Sequence, residues 1–349
     1  MSVLVTGGAG YIGSHMALRL AEAGERTVVL DNLSTGARCL VPDEAEFVEG
    51  DVGDRALLDR LFGGGGIEAV LHFAGSIVVP ESVARPLAYY ENNTAKSRTL
   101  IEACVAHEVK NFIFSSTAVV YDEAAPMPLS EESALGPISP YGTSKLMTEW
   151  MLRDAARAHD LRYAVLRYFN VAGADPAGRS GQVSPQATHL IKVASRTALG
   201  AQERLTIFGT DYPTADGTCV RDYVHVSDLV EAHLLALDHL RGGGASCVYN
   251  CGYGRGVSVR EVLRAVEAVT GDELPVEEGA RRAGDPPSLI ADATRLRTEL
   301  GWRPAHDDLQ FIVRTAMKWE RGLAEKSAHA GGMPSPGGRG PRRESGVGG

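Results

Sequence analysis

The chain has 349 residues, enough for one large domain with an added lobe or for two domains. Its net charge of -9 argues against the concentrated basic surface that nucleic acids require, and no apolar run nears the ~18 residues of a membrane span. No basic-then-apolar leader precedes the opening strand, and the five cysteines (Cys39, Cys104, Cys219, Cys247, Cys251) are scattered and odd in number. Reduced thiols in a cytoplasmic protein are therefore expected. Cys247 and Cys251 share a C-x3-C spacing, but no second pair or suitable histidine follows, so no metal site is expected.

Short apolar strands alternate with helical patterns along the chain. "SVLVTG" precedes "SHMALRLAEAG"; then come "RTVVLD", "AEFVEGD", "DRALLDRLF" and "EAVLHFAG". "SRTLIEACVAHEV", "NFIFSST", "SKLMTEWMLRDAARAH" and "RYAVLRYFN" continue the rhythm. Continuously apolar strands separated by amphipathic helices predict a parallel sheet covered on both faces. The fold class is thus α/β, a Rossmann-like doubly wound parallel sheet. The rhythm weakens after Asn170 and returns in "YVHVSDLVEAHLLALDHL". Residues 171–220 and 255–323 read as a smaller, mainly C-terminal lobe, with 221–254 returning to the first domain, 1–170. From Ala328 onward, half of the residues are Gly or Pro. Such a segment buries too little apolar surface to offset its ordering entropy, and a disordered tail over 328–349 is expected.

The first turn carries the first chemistry. "VTGGAGYIGS" follows strand one and opens a helix; Gly7, Gly10 and Gly13 fit G-x-x-G-x-x-G, and Gly8, Gly10 and Gly13 fit G-x-G-x-x-G. Glycines there let the backbone turn tightly and approach a pyrophosphate at the helix N-terminus. A merely Gly-rich turn would share the spacing. Asp31, 18 residues past Gly13 and ending strand two, supplies the missing context. Its carboxylate suits both ribose hydroxyls and repels a 2′-phosphate, which points to NAD rather than NADP. Asp51 lies at the end of strand three, where it can reach the adenine side or simply form a turn.

The second constellation joins "SST", Ser115 to Thr117, with "YGTSK", Tyr141 to Lys145. Tyr141 and Lys145 share a helix face at i and i+4. A free tyrosine is a poor base at neutral pH, and a cation one turn away is expected to lower its pKa. Thr117 ends a sheet strand, where a ligand crevice is expected, and its hydroxyl can bridge a substrate and Tyr141.

These motifs, with "HFAG", "YYENNT", "LRYFNVAGA", "GTDYPTADGTCVRDYVHVSDL" and "RRAGD", identify the chain as resembling the extended short-chain dehydrogenase/reductase superfamily. Within it the resemblance is greatest to the UDP-glucose 4-epimerase family, over about residues 3 to 320. It implies an NAD-binding domain and a UDP-sugar-binding lobe. The cofactor residues it implies are Gly7, Gly10, Tyr11, Ile12, Gly13, Asp31, Asn32, Asp51, Val52, Phe73, Ala74, Gly75, Asn93, Ser115, Tyr141, Lys145 and Tyr168. The substrate residues are Thr117, Asn170, His189, Leu190, Thr206, Phe208, Arg221, Arg282, Asp285 and Leu289. Thr117, Tyr141 and Lys145 are the implied catalytic set: Tyr141 takes the proton of the sugar 4′-hydroxyl, a transient 4-keto sugar turns over in the site, and the returned hydride inverts the centre.

Nucleotide-sugar 4,6-dehydratases carry an Asp-Glu pair after the strand-end Thr, where Ala118 and Val119 stand here. A related epimerase, a dehydratase or a non-catalytic NAD-binding sensor are the alternative readings. The chain departs from the resembled pattern at Ile77, where a Lys is frequent, at Asp122, where a Gly is, and at His189, where an Asn is. Position 289 is often Tyr or Cys in that family. The resemblance also implies a homodimer built on helices near 94–107 and 142–158, where Leu100, Ile101, Cys104, Trp150 and Met151 divide between core and interface.

Overall fold

The computed structural model describes residues 1–184, 188–282 and 286–331, with side chains to Lys326. In chain order, β1 (Ser2–Thr6), α1 (Tyr11–Glu22), β2 (Arg26–Asp31), β3 (Glu46–Glu49), α2 (Arg55–Gly63) and β4 (Ile67–His72) come first. Next are α3 (Val79–Ala84), α4 (Pro86–Tyr89), a π-helical turn (Tyr90–Ala95), α5 (Lys96–Ala106), β5 (Asn111–Thr117), α6 (Pro140–Ala158) and β6 (Arg162–Tyr168). Beyond them lie β7 (Asn170–Ala172), α7 (Leu190–Ala198), β8 (Leu205–Phe208), β9 (Val220–His225), α8 (Val226–Arg241) and β10 (Cys247–Cys251). The described chain closes with β11 (Gly256–Ser258), α9 (Val259–Thr270), β12 (Val276–Gly279), β13 (Ser288–Leu289), α10 (Thr294–Glu299) and α11 (Leu309–Gly331).

Among the described residues, seven strands form a sheet in the order β10-β6-β5-β4-β1-β2-β3, with every neighbouring pair parallel. Parallel strands need crossovers, and helices fill both faces. Val3, Val5, Leu71, Ile113 and Leu166 point to one core with α1 and α8; Leu4, Val70, Phe112, Phe114 and Val165 point to the other with α2, α5 and α6. Each fully buried Leu or Phe contributes ~1.5–3 kcal/mol, so the continuous apolar runs specify central strands. The chain order reverses around β1, and crevices for ligands open at such switch points beyond the carboxyl ends of strands.

Strands β7, β9, β11 and β13 make a second sheet, and β8 pairs with β12. Here the structure differs from the sequence expectation. Within 221–254, α8 packs on β5 and β6 and β10 joins the large sheet, yet β9 pairs with β7, β11 and β13 instead. A strand of six residues can hydrogen-bond into either sheet, and which one it joins depends on register with distant segments.

The expected boundary of the tail is also displaced. Helix α11 runs through Ala328 to Gly331, because Ala324, Ala328 and Ala330 favour helix over the Gly- and Pro-rich stretch that follows. The rest of the expected tail lies outside the described residues. Leu100, Ile101 and Cys104 are buried in the core, whereas Trp150 keeps 45% of its surface exposed and Met151 is half-buried. No helix among the described residues is long and apolar enough to cross a membrane. All five cysteines are free thiols.

Candidate active site

The turn after β1 is shaped by contacts that exclude side chains. A Cβ on Gly13 would fall 2.2 Å from the Gly7 carbonyl oxygen, so α1 can enter this close only with glycine there. Gly10 donates to the Gly7 carbonyl at 3.0 Å and forms the N-cap of α1 without a side-chain cap. The first turn, Tyr11 to Gly13, holds no acid. Its N–H groups and the positive end of the helix dipole thus face the crevice and favour an anion. Asp31 closes the turn from β2. Its Oδ2 accepts from the Ala9 N–H at 2.9 Å and its Oδ1 from the Leu33 N–H at 2.8 Å, and each oxygen retains a lone pair for a hydroxyl. A cradle of free N–H groups beside an uncompensated carboxylate fits a dinucleotide with an unphosphorylated ribose.

The other expected cofactor residues sit on the rim of this turn. Asn32 donates to the Asp51 carboxylate at 2.9 Å, and Lys96 donates to it at 2.6 Å. Lys96 was invisible as a site residue because its partner lies 45 positions away. Val52 and Ile12 pack into the two cores flanking the sheet. Phe73, Ala74 and Gly75 follow β4; the Phe73 ring lies 5.0 Å from His233. Tyr168 ends β6 and donates its phenol proton to Nε2 of His233, whose Nδ1 donates to the Leu229 carbonyl at 2.8 Å. Asn93, in the π-helical turn, holds Ser76 through its N–H at 2.7 Å and its carbonyl at 2.9 Å, and donates to Ser144 at 3.0 Å. That clamp ties the segment after Gly75 to α6. Ile77 is 52% exposed beside it.

Helix α6 brings the second constellation to the same crevice. Ser139 caps it by accepting from Gly142 N–H at 3.2 Å, and Pro140 occupies its first turn. Gly142 lets the helix meet the end of β5: a Cβ there would stand 2.5 Å from the Val119 carbonyl. Tyr141, Thr117 and Lys145 thereby converge. Thr117 is the one neighbour that favours the Tyr141 phenolate, but burial dominates and pushes this phenol up to about 12. Lys145 is buried, and desolvation pushes its ammonium down to about 8. Its Nζ donates to the Ser115 carbonyl at 2.9 Å. The expectation that the nearby cation lowers the tyrosine pKa is not met in the chain by itself, where burial raises it. The i, i+4 spacing puts both on one face, but the ammonium is engaged by the strand, and burial outweighs its influence.

Across the crevice, Tyr11, Asn170, His189 and Leu190 line one cleft with Lys192 and Glu320. His189 Nδ1 accepts from the Gln182 side-chain amide at 2.9 Å; burial, aided by Lys192, lowers its pKa and keeps the ring neutral. Thr206 donates to Glu277 at 2.8 Å, and the Arg282 guanidinium lies 3.8 Å over the ring of Phe208. Arg221 donates to the carbonyls of Val220 and Pro286, each at 2.9 Å, and stands opposite Leu289 in the β9–β13 register. Leu289 packs with Ala118, Val120 and Phe169 just beyond Thr117. Asp285 lies outside the described residues. Asp122 accepts from the Ala124 N–H at 2.8 Å, closing a loop rather than facing the crevice. Among the described residues, no group of three or more His, Cys, Asp or Glu gathers as metal ligands.

A dinucleotide cradle at the switch point of a doubly wound sheet, with a Thr–Tyr–Lys set opposite it, defines a nicotinamide-dependent enzyme of the short-chain type. The chain belongs to the NAD dependent epimerase/dehydratase family, whose model matches residues 3–252. It is 58% identical to a UDP-glucose 4-epimerase of Azospirillum brasilense over 96% of both chains. It also matches the crystal structure of a Brucella ovis UDP-glucose 4-epimerase in complex with NAD, with TM-score 0.88 and 46% identity, over 91% of this chain and 97% of that one. A Bifidobacterium longum UDP-glucose 4-epimerase in complex with NAD+ and UDP matches with TM-score 0.87 and 36% identity, over 93% and 99% of the two chains.

Proposed function

We infer that the protein interconverts UDP-galactose and UDP-glucose through a transient 4-keto sugar, using tightly held NAD. One observation carries this reading: identity to a UDP-glucose 4-epimerase is 58% across nearly the whole chain. NAD, held by the Gly7–Gly13 turn and Asp31, would supply a hydride acceptor and donor for C4′ and a positive charge that would favour a nearby phenolate.

The remaining chemistry falls to the chain's own residues. Tyr141 accepts the proton of the sugar 4′-hydroxyl at its phenol oxygen and later gives it back. Thr117, whose hydroxyl favours the phenolate, orients that hydroxyl of the sugar. Lys145, anchored on the Ser115 carbonyl, supplies positive charge beneath the tyrosine. Asn170, His189, Leu190, Thr206, Phe208, Arg221, Arg282 and Asp285 hold the UDP while the keto sugar turns, and Leu289 bounds the sugar. Arginine suits this work because its planar fork pairs with diphosphate oxygens. The large sheet with its helices, residues 1–170 and much of 221–254, serves NAD; residues 171–220 and 255–323 serve the UDP-sugar. Elimination of water to a 4-keto-6-deoxy sugar lacks an acid and a base, because Ala118 and Val119 follow Thr117.

The protein works as a cytoplasmic homodimer. Val83, Leu87, Met147 and Trp150 leave 63, 79, 37 and 45% of their surfaces exposed on α3, α4 and α6, an apolar face suited to a second copy.

Protein purified without added cofactor is expected to convert UDP-galactose to UDP-glucose with no external NAD, as read by separating the nucleotide sugars. Stoichiometric accumulation of NADH during turnover would overturn the epimerase reading.

A further inference from the structure

Tyr141, Lys145 and Glu149 stand at i, i+4 and i+8, so one face of α6 carries all three. Glu149 is 6% exposed. Its Oε1 accepts from Ser116 Oγ at 2.5 Å and from Arg167 Nε at 3.1 Å, and its Oε2 from Arg167 Nη2 at 2.6 Å. Arg167 is 4% exposed and donates onward to the Tyr121 hydroxyl at 2.9 Å, which donates to Asn250 at 2.8 Å. The carboxylate is thus on the helix that bears Lys145, and the guanidinium is on β6, held by Tyr121.

Stability is by itself a weak reason for such a pair. Desolvating two charges is costly, and well-packed apolar residues of similar volume are often as stable or more so. Position does account for it. Ser116, gripped by Glu149, lies between Ser115, whose carbonyl receives Lys145, and Thr117, which meets Tyr141.

We propose that Glu149 is a positioning residue of the reaction: it ties the end of β5 to α6 through Ser116 and presents Lys145 with its balancing negative charge. The proposal rests on the epimerase reading of the site. The groups around Lys145 leave this task to Glu149. Tyr141 on α6 is protonated, its phenol pushed up to about 12. The Phe114 ring of β5 lies 4.9 Å from Nζ, and Asn93 and Gly75 border it as neutral groups. His72 of β4 is driven down to about 3 by burial and by Lys145 itself, so it is neutral. Tyr89 and Tyr168 neighbour Tyr141, and burial pushes both phenols up. Burial pulls the Lys145 ammonium down to about 8, and the Glu149 charge opposes that pull.

The sign of the effect follows. Without the Glu149 charge the ammonium loses its proton at lower pH, and Tyr141 loses its nearby cation there. In holoenzyme turning over UDP-galactose, Glu149→Gln keeps a hydrogen-bonding shape and is expected to move the alkaline limb of kcat down by about one pH unit. KM should stay close to the parent value. Glu149→Asp keeps the charge and should leave the limb near its original place while kcat falls. The Lys145 titration, followed by NMR on lysine labelled with carbon-13 and assigned with Lys145→Met, should move with the limb. If Glu149→Gln does not fold with its unpaired arginine, the neutral double variant Glu149→Gln with Arg167→Gln should shift the limb in the same direction by a smaller amount, because losing the Arg167 charge offsets part of the loss of the carboxylate. A limb and a Lys145 titration that both stay in place, with only a lower Tm, would overturn the proposal. A parent protein with no epimerase activity would sink the proposed function instead, and the Lys145 titration would still decide this inference.

Discussion

The ammonium of Lys145 donates to the Ser115 carbonyl at 2.9 Å, not to the phenol of Tyr141 one turn earlier on the same helix. In the proposed reaction Lys145 then acts on Tyr141 through its charge rather than a hydrogen bond, and the phenol, pushed up to about 12 by burial, needs further positive charge for activation. On the proposed mechanism Tyr141→Phe removes the proton acceptor while leaving the Gly-rich turn and Asp31 that would hold NAD intact. Turnover is expected to drop by at least ~10²–10⁴-fold, with fold and bound NAD unchanged by circular dichroism and cofactor release. Near-normal turnover would assign the proton transfer to another group.

The approach of α1 to the turn after β1 is the steric basis of the cofactor site. In Gly13→Ala the new methyl meets the Gly7 carbonyl oxygen at 2.2 Å and the Gly8 Cα at 2.9 Å, both backbone atoms. The turn must open, at a cost on the order of 2 kcal/mol or more, which corresponds to over tenfold weaker NAD binding. Purified Gly13→Ala protein should carry little NAD by absorbance, and added NAD should restore part of its turnover. Full retention of NAD would show that the turn tolerates the shift.

Leu289 stands opposite Arg221 and packs with Ala118, Val120 and Phe169 beside the strand that ends in Thr117. A larger side chain there narrows the space in which a keto sugar turns, and a smaller one widens it. UDP-glucose and UDP-galactose should be preferred, with the 2-acetamido sugars turned over weakly. Steric changes in such pockets shift specificity by about 10- to 200-fold. Leu289→Tyr should abolish the acetamido activity while sparing the plain sugars, and Leu289→Cys should raise it. An unchanged ratio of the two activities in both variants would remove residue 289 from the pocket.

Four buried histidines are expected to weaken the fold in acid. Burial pushes His15 and His233 down to about 4 and His72 and His225 down to about 3. The unfolded chain takes up protons at these sites near pH 6.5, whereas the folded chain does not until far lower pH. Their contribution is present above that pH and is lost as pH falls from about 6.5 toward 4. Each such shift corresponds to on the order of 3–5 kcal/mol over the full fall in pH. His233→Gln gives up a hydrogen bond near Tyr168 worth about 1 kcal/mol at pH 7, yet its Tm should fall less steeply than the parent's between pH 6.5 and 4.5. Parallel curves would mean that His233 titrates normally in the fold.

The large parallel sheet, the Gly-rich turn after β1, the place of Asp31 at the end of β2 and the shared helix face of Tyr141 and Lys145 were legible in the sequence. Each depends on local order: apolar runs specify buried strands, glycine is required where backbones nearly touch, and i, i+4 spacing sets a helix face. Glu149 was equally legible by spacing, eight residues past Tyr141, but its meaning was not, because Arg167 and Ser116 reach it from two different strands. Which sheet β9 joins, how Lys96 meets Asp51, and where the Lys145 ammonium points were decided only by the tertiary structure. Spacing along one segment determines which side chains share a face. The partner each face finds, and the solvent each charge loses, depend on segments that folding brings together from far along the chain.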